Sequence, residues 1–174
     1  MIIFIRHGKD KKSTHKHDEK LRKSSKKKAY HLAKKLIVEH GYPDIIYYSP
    51  YIRTRQTLKS MMKAIKKHRK QNNIERKPIK VVEPKIGRFF TRKERKNPDV
   101  RLSTLNKGVI ISETKEEFRN RVLSHLDKVV TQSKEKKDLK IWNITHTLIL
   151  VNVARKMDIK LPDHLSYLHK IVID

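Results

Sequence analysis

Ile2-Ile3-Phe4-Ile5 is a short, unbroken apolar run of strand formers that stops at Arg6-His7-Gly8, the pattern of a buried strand running into a loop. Lys9 to Ser25 is charged and has no period. Ala29, Leu32, Ala33, Leu36 and Ile37 then recur at helical spacing with lysines on the other face, which predicts an amphipathic helix. Gly41-Tyr42-Pro43-Asp44 is turn chemistry, and Ile45 to Tyr48 follows as a second strand. Ser49-Pro50 is expected to open the next helix, with Ser as N-cap and Pro at the first helical position, and Leu58, Met61, Met62 and Ile65 as its buried stripe. Ile79 to Glu83 is a short strand, and the polar stretch from Pro84 to Ile111 carries no assignable pattern beyond loops and a short helix. Thr114 with Glu117 forms a capping box ahead of Phe118, Val122, Leu126, Val129 and Val130 at helical intervals. Leu139 to Thr145 reads as a strand ending at His146, Thr147 to Met157 as a mostly buried helix, and Tyr167 to Ile173 as a last strand. Strands alternating with helices predict an α/β fold: a largely parallel central sheet with helices on both faces.

The length of 174 residues suits one domain, and with no internal repeat or linker a single domain over residues 1–174 is expected. Hydrophobic residues make up 36% of the chain, enough in these patterns to bury a core and to argue against wholesale disorder. The absence of cysteine removes disulfides, thiolate zinc sites and thiol nucleophiles together. The apolar run at Met1 to Ile5 is cut off by Arg6, too short for a signal peptide, and no stretch approaches bilayer length. A soluble, intracellular, cytoplasmic protein is therefore expected.

The 44 Lys and Arg against 18 Asp and Glu leave a formal charge of +26, which favours an anionic partner. Nucleic acid, an acidic membrane surface, a phosphorylated protein and a polyphosphorylated small molecule all fit that charge, as does a Lys-biased solvated surface. Nucleic acid is not favoured. The cations run along the whole chain and aromatics are only 6%, too few for interleaved stacking.

Three predicted strands end in groups suited to the same chemistry, namely Arg6-His7, the segment Ser49 to Arg53, and His146. Strand ends on one sheet edge can converge. Arg53 lies in the first turn of its helix, where backbone N–H groups and the helix dipole favour an anion, and guanidinium adds bidentate recognition of oxygen. Two arginines, a helix N-terminus and two imidazoles make a phosphoryl pocket in which an imidazole is the available nucleophile. Arg55 and Arg121 read as surface or structural residues. His15, His17 and Asp18 have a spacing open to a metal but lie in a Lys-rich segment that reads as solvated, and no metal is assigned.

Ile5-Arg6-His7-Gly8 resembles the RHG signature of the histidine phosphatase, or phosphoglycerate mutase-like, superfamily. Ser49-Pro50-Tyr51-Ile52-Arg53-Thr54-Arg55-Gln56-Thr57 resembles its SPLxRxxQT segment, and Ile144-Thr145-His146 its SHG strand and second histidine. Glu113 to Val122 is similar to the helix that begins ES and ends RV, while Leu21 to Ala29 only loosely resembles LTxxGxxQA. The pieces keep their order over essentially the whole chain. The resemblance implies a histidine acid-type phosphatase, a phosphoric ester hydrolase, in which neutral His7 attacks phosphorus and forms a phosphohistidine that water hydrolyses. In it the other ring nitrogen of His7 donates to a backbone carbonyl. Ser49 lines the phosphate pocket, Arg6, Arg53 and His146 hold the equatorial oxygens, and no metal or other cofactor is required.

Departures from the family pattern shape the expectation. The family's proton-donating Glu follows a Pro-x-Leu-x pattern, and Pro84-Lys85-Ile86-Gly87-Arg88 puts Arg88 there, which cannot act as a general acid. Glu113 is the first replacement, then Glu83 and Glu94, although Glu113 equally complements a helix N-terminus. A phosphoramidate or anhydride substrate needs little protonation, and small members of the family include phosphohistidine phosphatases of that type. Thr147-Leu148 replaces the glycines after the second histidine, and the chain is short for a mutase, so a phosphatase is expected. The partner is then an anionic phosphorylated substrate, small molecule or phosphoprotein. The alternative is a catalytically silent relative whose basic pocket binds phosphorylated protein, inositol phosphate or nucleic acid.

Overall fold

The computed structural model describes residues 1–11, 20–87 and 113–174. Its strands are β1 (Ile2–Arg6), β2 (Ile45–Tyr48), β3 (Ile79–Val82), β4 (Ile141–Thr145) and β5 (Lys170–Ile173), with helices α1 (Lys23–His40), α2 (Ile52–Gln71), α3 (Lys115–Glu135) and α4 (Thr147–Lys156). A 3-10 turn at Pro84–Ile86 follows β3. The strands lie in the order β3-β2-β4-β1-β5. All neighbours are parallel except β5, which runs antiparallel to β1. This is the expected α/β fold, a largely parallel sheet between two helical layers.

Period-two alternation sorts the side chains into the two layers. Ile3, Ile5, Ile46, Trp142 and Ile144 face α1 and α2, while Ile2, Phe4, Tyr47, Ile141 and Ile171 face α3 and α4. The central strand β4 is buried along its whole length, which is why Ile141 to Thr145 carries no exposed polar position. Ala29 and Ala33 of α1, both fully buried, let that helix lie close against α2. Gly41 ends α1 at φ 79°, a left-handed conformation that favours glycine, and its N–H returns to the Ile37 carbonyl. No helix among the described residues is long and apolar enough to cross a membrane.

Local expectations met three corrections. The first helix begins at Lys23, inside the segment that had no readable period, because its opening turns bury only Ser25. The helix after β2 is not capped by Ser49: Tyr51, in an extended conformation, is the N-cap, and Ile52 is the first helical residue. The Thr114–Glu117 capping box is present with both of its bonds. The last strand starts at Lys170 rather than Tyr167.

The layered core predicts a steep contrast in packing cost. Ile144→Ala, at a site with no solvent exposure, is expected to lose about 3–4 kcal/mol in chemical denaturation. Ile79→Ala, on an edge strand where that side chain is 63% exposed, is expected to stay within about 0.5 kcal/mol.

Candidate active site

The sheet register creates the site. Arg6 pairs with Thr145 and Tyr48 with Ile144, so β1, β2 and β4 end level with one another. The His7 amide then donates to the Thr145 carbonyl at 2.9 Å and the Ser49 amide to the Ile144 carbonyl at 3.2 Å. His7, Ser49 and His146 are thus the first residues beyond three adjacent strands, and all three are buried.

Nδ1 of His7 lies 2.8 Å from the Gly8 carbonyl oxygen. A carbonyl only accepts, so Nδ1 carries a proton, and in the neutral ring the lone pair lies on Nε2. Gly8 is held in turn. Its amide donates to the Thr57 hydroxyl at 3.1 Å, and that hydroxyl donates to the Arg53 carbonyl at 2.7 Å. A Cβ on Gly8 would stand 3.0 Å from Cβ of Ser25, so the close approach of α1 selects glycine there. Gln56 completes the clamp by accepting from the Leu21 amide at 2.8 Å.

On the other side of the pocket, the His146 ring stands edge to face with His7, with centroids 5.1 Å apart. Its partners point to one tautomer. Nη2 of Arg53 faces Nδ1 at 3.5 Å, and a guanidinium only donates, so Nδ1 accepts and Nε2 donates to the Ser49 hydroxyl at 2.8 Å. The Ser49 hydroxyl then donates to the Thr54 hydroxyl at 3.1 Å, which donates to the carbonyls of Ser49 or Tyr51 at 2.6 and 2.7 Å. Ser49 is therefore spent on orienting an imidazole rather than on capping a helix. Tyr51 supports both partners, its ring 5.0 Å from the His146 ring and 5.3 Å from Cζ of Arg53.

Arg6 is the more distant member. Its guanidinium donates to the Leu165 carbonyl and stacks 4.1 Å over the Tyr167 ring, which itself lies 5.9 Å from the His7 ring. Burial lowers the Arg6 pKa, opposed by the charges of Tyr167 and Asp10. Asp10 also lies 3.5 Å from Nη1 of Arg53. One carboxylate thus interacts with both arginines of the pocket. Asp10, Thr57, Tyr51 and Tyr167 were not singled out from the sequence. Asp10 sits in the charged segment without a period, and the other three have ordinary turn or helix neighbours.

Two of the three carboxylates weighed as proton donors, Glu113 and Glu83, are engaged. Glu113 receives Arg121 in a buried two-pronged pair, Nε to Oε2 at 2.9 Å and Nη2 to Oε1 at 2.5 Å. Nη1 of Arg121 donates onward to the carbonyls of Lys85 and Gly87, and Thr145 donates to the Ile86 carbonyl at 2.6 Å. Arg121 thus ties residues 85–87 to α3 while Thr145 ties them to the end of β4, which gives Arg121 a structural role. Glu83 is buried beneath α3. Burial alone would raise its pKa, but hydrogen bonds from His125, the Lys85 amide and Lys128, with the charge of His125, outweigh it and hold the group at about 2. A carboxyl that acidic has no proton to donate near neutral pH. Arg88, Glu94, His15, His17 and Asp18 lie outside the described residues. Among the described residues no three His, Cys, Asp or Glu side chains form a group that could hold a metal ion.

The sequence model of the histidine phosphatase superfamily (branch 1) matches residues 2–167 of the chain. Among solved structures, the chain is similar to the ecdysone phosphate phosphatase of Bombix mori in complex with tungstate. The identity is 14% and the TM-score 0.69, with 97% of this chain and 86% of that one covered. A phosphoglycerate mutase of Bacillus anthracis is similar at 16% identity and a TM-score of 0.63, with 97% and 86% covered. The protein histidine phosphatase SixA complexed with tungstate is similar at 14% identity and a TM-score of 0.55, with 88% and 74% covered. At such identities the likeness is one of fold. No curated protein matches the sequence significantly.

Two outcomes follow from the charges. Asp10→Asn removes an internal anion from the two arginines, so inorganic phosphate should bind about three- to tenfold more tightly by calorimetry at low salt. Glu83 has a folded pKa of about 2 against an ordinary 4.5, so its contribution is complete above pH 4.5 and fades as pH falls toward 2. Glu83→Gln should cost about 1–2 kcal/mol at neutral pH after solvent screening is discounted, and the gap to wild type should close across that acid window in denaturant titrations.

Proposed function

The chain belongs to the histidine phosphatase superfamily, branch 1, and from that membership we propose that it is a phosphatase working through a covalent phosphohistidine at His7. One observation carries the reading. The bond from His7 Nδ1 to the Gly8 carbonyl places the lone pair of the neutral imidazole on Nε2, in a pocket that also holds His146 and Arg53. The neutral ring then offers Nε2 as its nucleophile.

In the first step the Nε2 lone pair attacks phosphorus in line, the bond to the leaving group breaks, and the leaving group departs with the electron pair. In the second, water attacks phosphorus from the vacated side, the N–P bond breaks, and phosphate leaves with the proton balance made by water. Arg53 presents its N–H groups to the equatorial oxygens, and so does His146 when Nδ1 is protonated. Arg6 adds positive charge from the far side of the His7 ring. Ser49 acts through His146, fixing its orientation.

Among the described residues the candidate proton donors bear on the substrate class. Glu113 has both oxygens on Arg121, and Glu83 is held ionised, so neither suits protonation of a poor alkoxide leaving group. That favours a phosphoramidate or a phosphoanhydride over an alkyl phosphate monoester. A phosphohistidine or an aspartyl phosphate on a protein, or a small acyl phosphate, meets this requirement.

Initial rates on acetyl phosphate and para-nitrophenyl phosphate test the reading. His7→Ala is expected to lose at least about a thousandfold in kcat/KM, and Arg53→Ala about a hundredfold. Arg119→Ala, an exposed arginine of α3, is expected to stay within about twofold. Acetyl phosphate should be the better substrate. Full activity in His7→Ala, or no turnover of either compound by the wild type, contradicts the proposal.

A further inference from the structure

A cavity of about 460 Å³ lies between α2 and the edge strand β3, well away from the histidines. Its floor is apolar, with Ile65 and Pro78 buried and Met62 partly so. Its walls carry Lys59, Lys63 and Lys66 of α2, facing Lys77 and Lys80. Among the described residues no carboxylate lines it, and none of these five lysines forms an ion pair. A second, adjoining cavity shares Lys59, Met62 and Lys80 and adds Tyr48 and Arg55. Tyr48 ends β2 and directly precedes Ser49. The groove therefore runs from the middle of α2 to the end of β2, next to Ser49.

Its inner wall is a sheet edge. β3 pairs with β2 on one side, and in the sheet order β3-β2-β4-β1-β5 it has no strand on the other among the described residues. The amides of Ile79 and Glu83 point inward, to the carbonyls of Asp44 and Tyr48. By the alternation of a strand, Lys80 and Val82 turn their backbone groups outward. Ile79 and Val82 are exposed on this edge, which natural proteins otherwise tend to cover or blunt.

We propose that this groove docks an extended acidic polypeptide segment, which adds to β3 as a further strand and sets its carboxylates against the α2 lysines. The spacing fits. Alternate residues of a strand repeat about every 6.6 Å, and Lys59 and Lys63, one helical turn apart, are separated by about 6 Å along the helix axis. A strand edge gives main-chain hydrogen bonds to a peptide, and the ammonium groups select its charge. Nucleic acid fits less well, because no aromatic ring among the described residues lines the larger cavity to stack a base. As a docking surface for a phosphoprotein substrate, the groove rests on the phosphatase reading and gives it a protein as substrate: the acidic segment lies in the groove while the phosphorylated side chain reaches His7.

The test uses fluorescence anisotropy with a labelled, unphosphorylated peptide of alternating Glu and Thr, set beside a block-ordered peptide of the same composition and a single-stranded oligonucleotide of equal charge. The alternating peptide should bind most tightly, and more weakly as salt rises. Lys59→Glu, Lys63→Glu and Lys66→Glu combined should weaken it by about tenfold or more, while the equal charge change at Lys27, Lys28 and Lys34 of α1 should cost less than about threefold. Equal weakening by the two triple variants, or tighter binding of the oligonucleotide, overturns the groove. Turnover of acetyl phosphate by the wild type separates the two proposals. Peptide binding lost with turnover present removes the groove alone. Turnover absent with groove-dependent binding present removes the phosphatase reading alone.

Discussion

The pairing of β1 with β4 is the constraint on which the site depends. Arg6 opposite Thr145, and the bond from the His7 amide to the Thr145 carbonyl, bring together two imidazoles from opposite ends of the chain. A slip of one residue would turn Arg6 and every other β1 side chain to the wrong face, so the hydrophobic alternation that builds the core also sets the geometry of the candidate site. Ile2 and Phe4 on one side and Ile3 and Ile5 on the other make that slip costly. Stability and site placement share the same apolar residues.

Around that pairing, polar groups are arranged to assign protons rather than to add stability. The Gly8 carbonyl decides which nitrogen of His7 is bare, and the Ser49–Thr54 chain decides which nitrogen of His146 faces Arg53. Thr57 and Gln56 tie the loop after β1 and the start of α1 to α2. The acidic side chains near this end of the sheet are turned to other work: Glu113 with Arg121 secures the chain after β3, Glu83 ties β3 to α3, and Asp10 offsets the pocket's arginines. Among the described residues what remains around His7 and His146 is electropositive, with Arg53 beside the rings.

Much of this was legible in the residues. The β-branched runs at Ile2 to Ile5 and Ile141 to Thr145 announce buried strands, and RHG, the Ser49 to Thr57 segment and His146 mark three strand ends. The less legible parts share a cause: their determinants are not local. Ser49-Pro50 has the signature of a helix start, yet a bond to His146, far along the chain, claims the serine hydroxyl. Lys23 to Lys28 lacks an apolar stripe because the opening of α1 packs against Gly8, not against the sheet. Glu113 looks like a spare acid until Arg121 is seen across from it. Asp10 is one charge among many in the primary chain and becomes distinctive only when two arginines converge on it.

The central claim is that the Nε2 atom of His7 takes the phosphoryl group. The most direct measurement is to mix the protein with acetyl phosphate, quench in alkali, and locate any phosphoryl group by peptide mass spectrometry. The account predicts an alkali-stable, acid-labile phosphoryl group on residue 7, absent when that residue is alanine. Hydrolysis that proceeds with no phosphorylated histidine, or with the label on His146 instead, would contradict it.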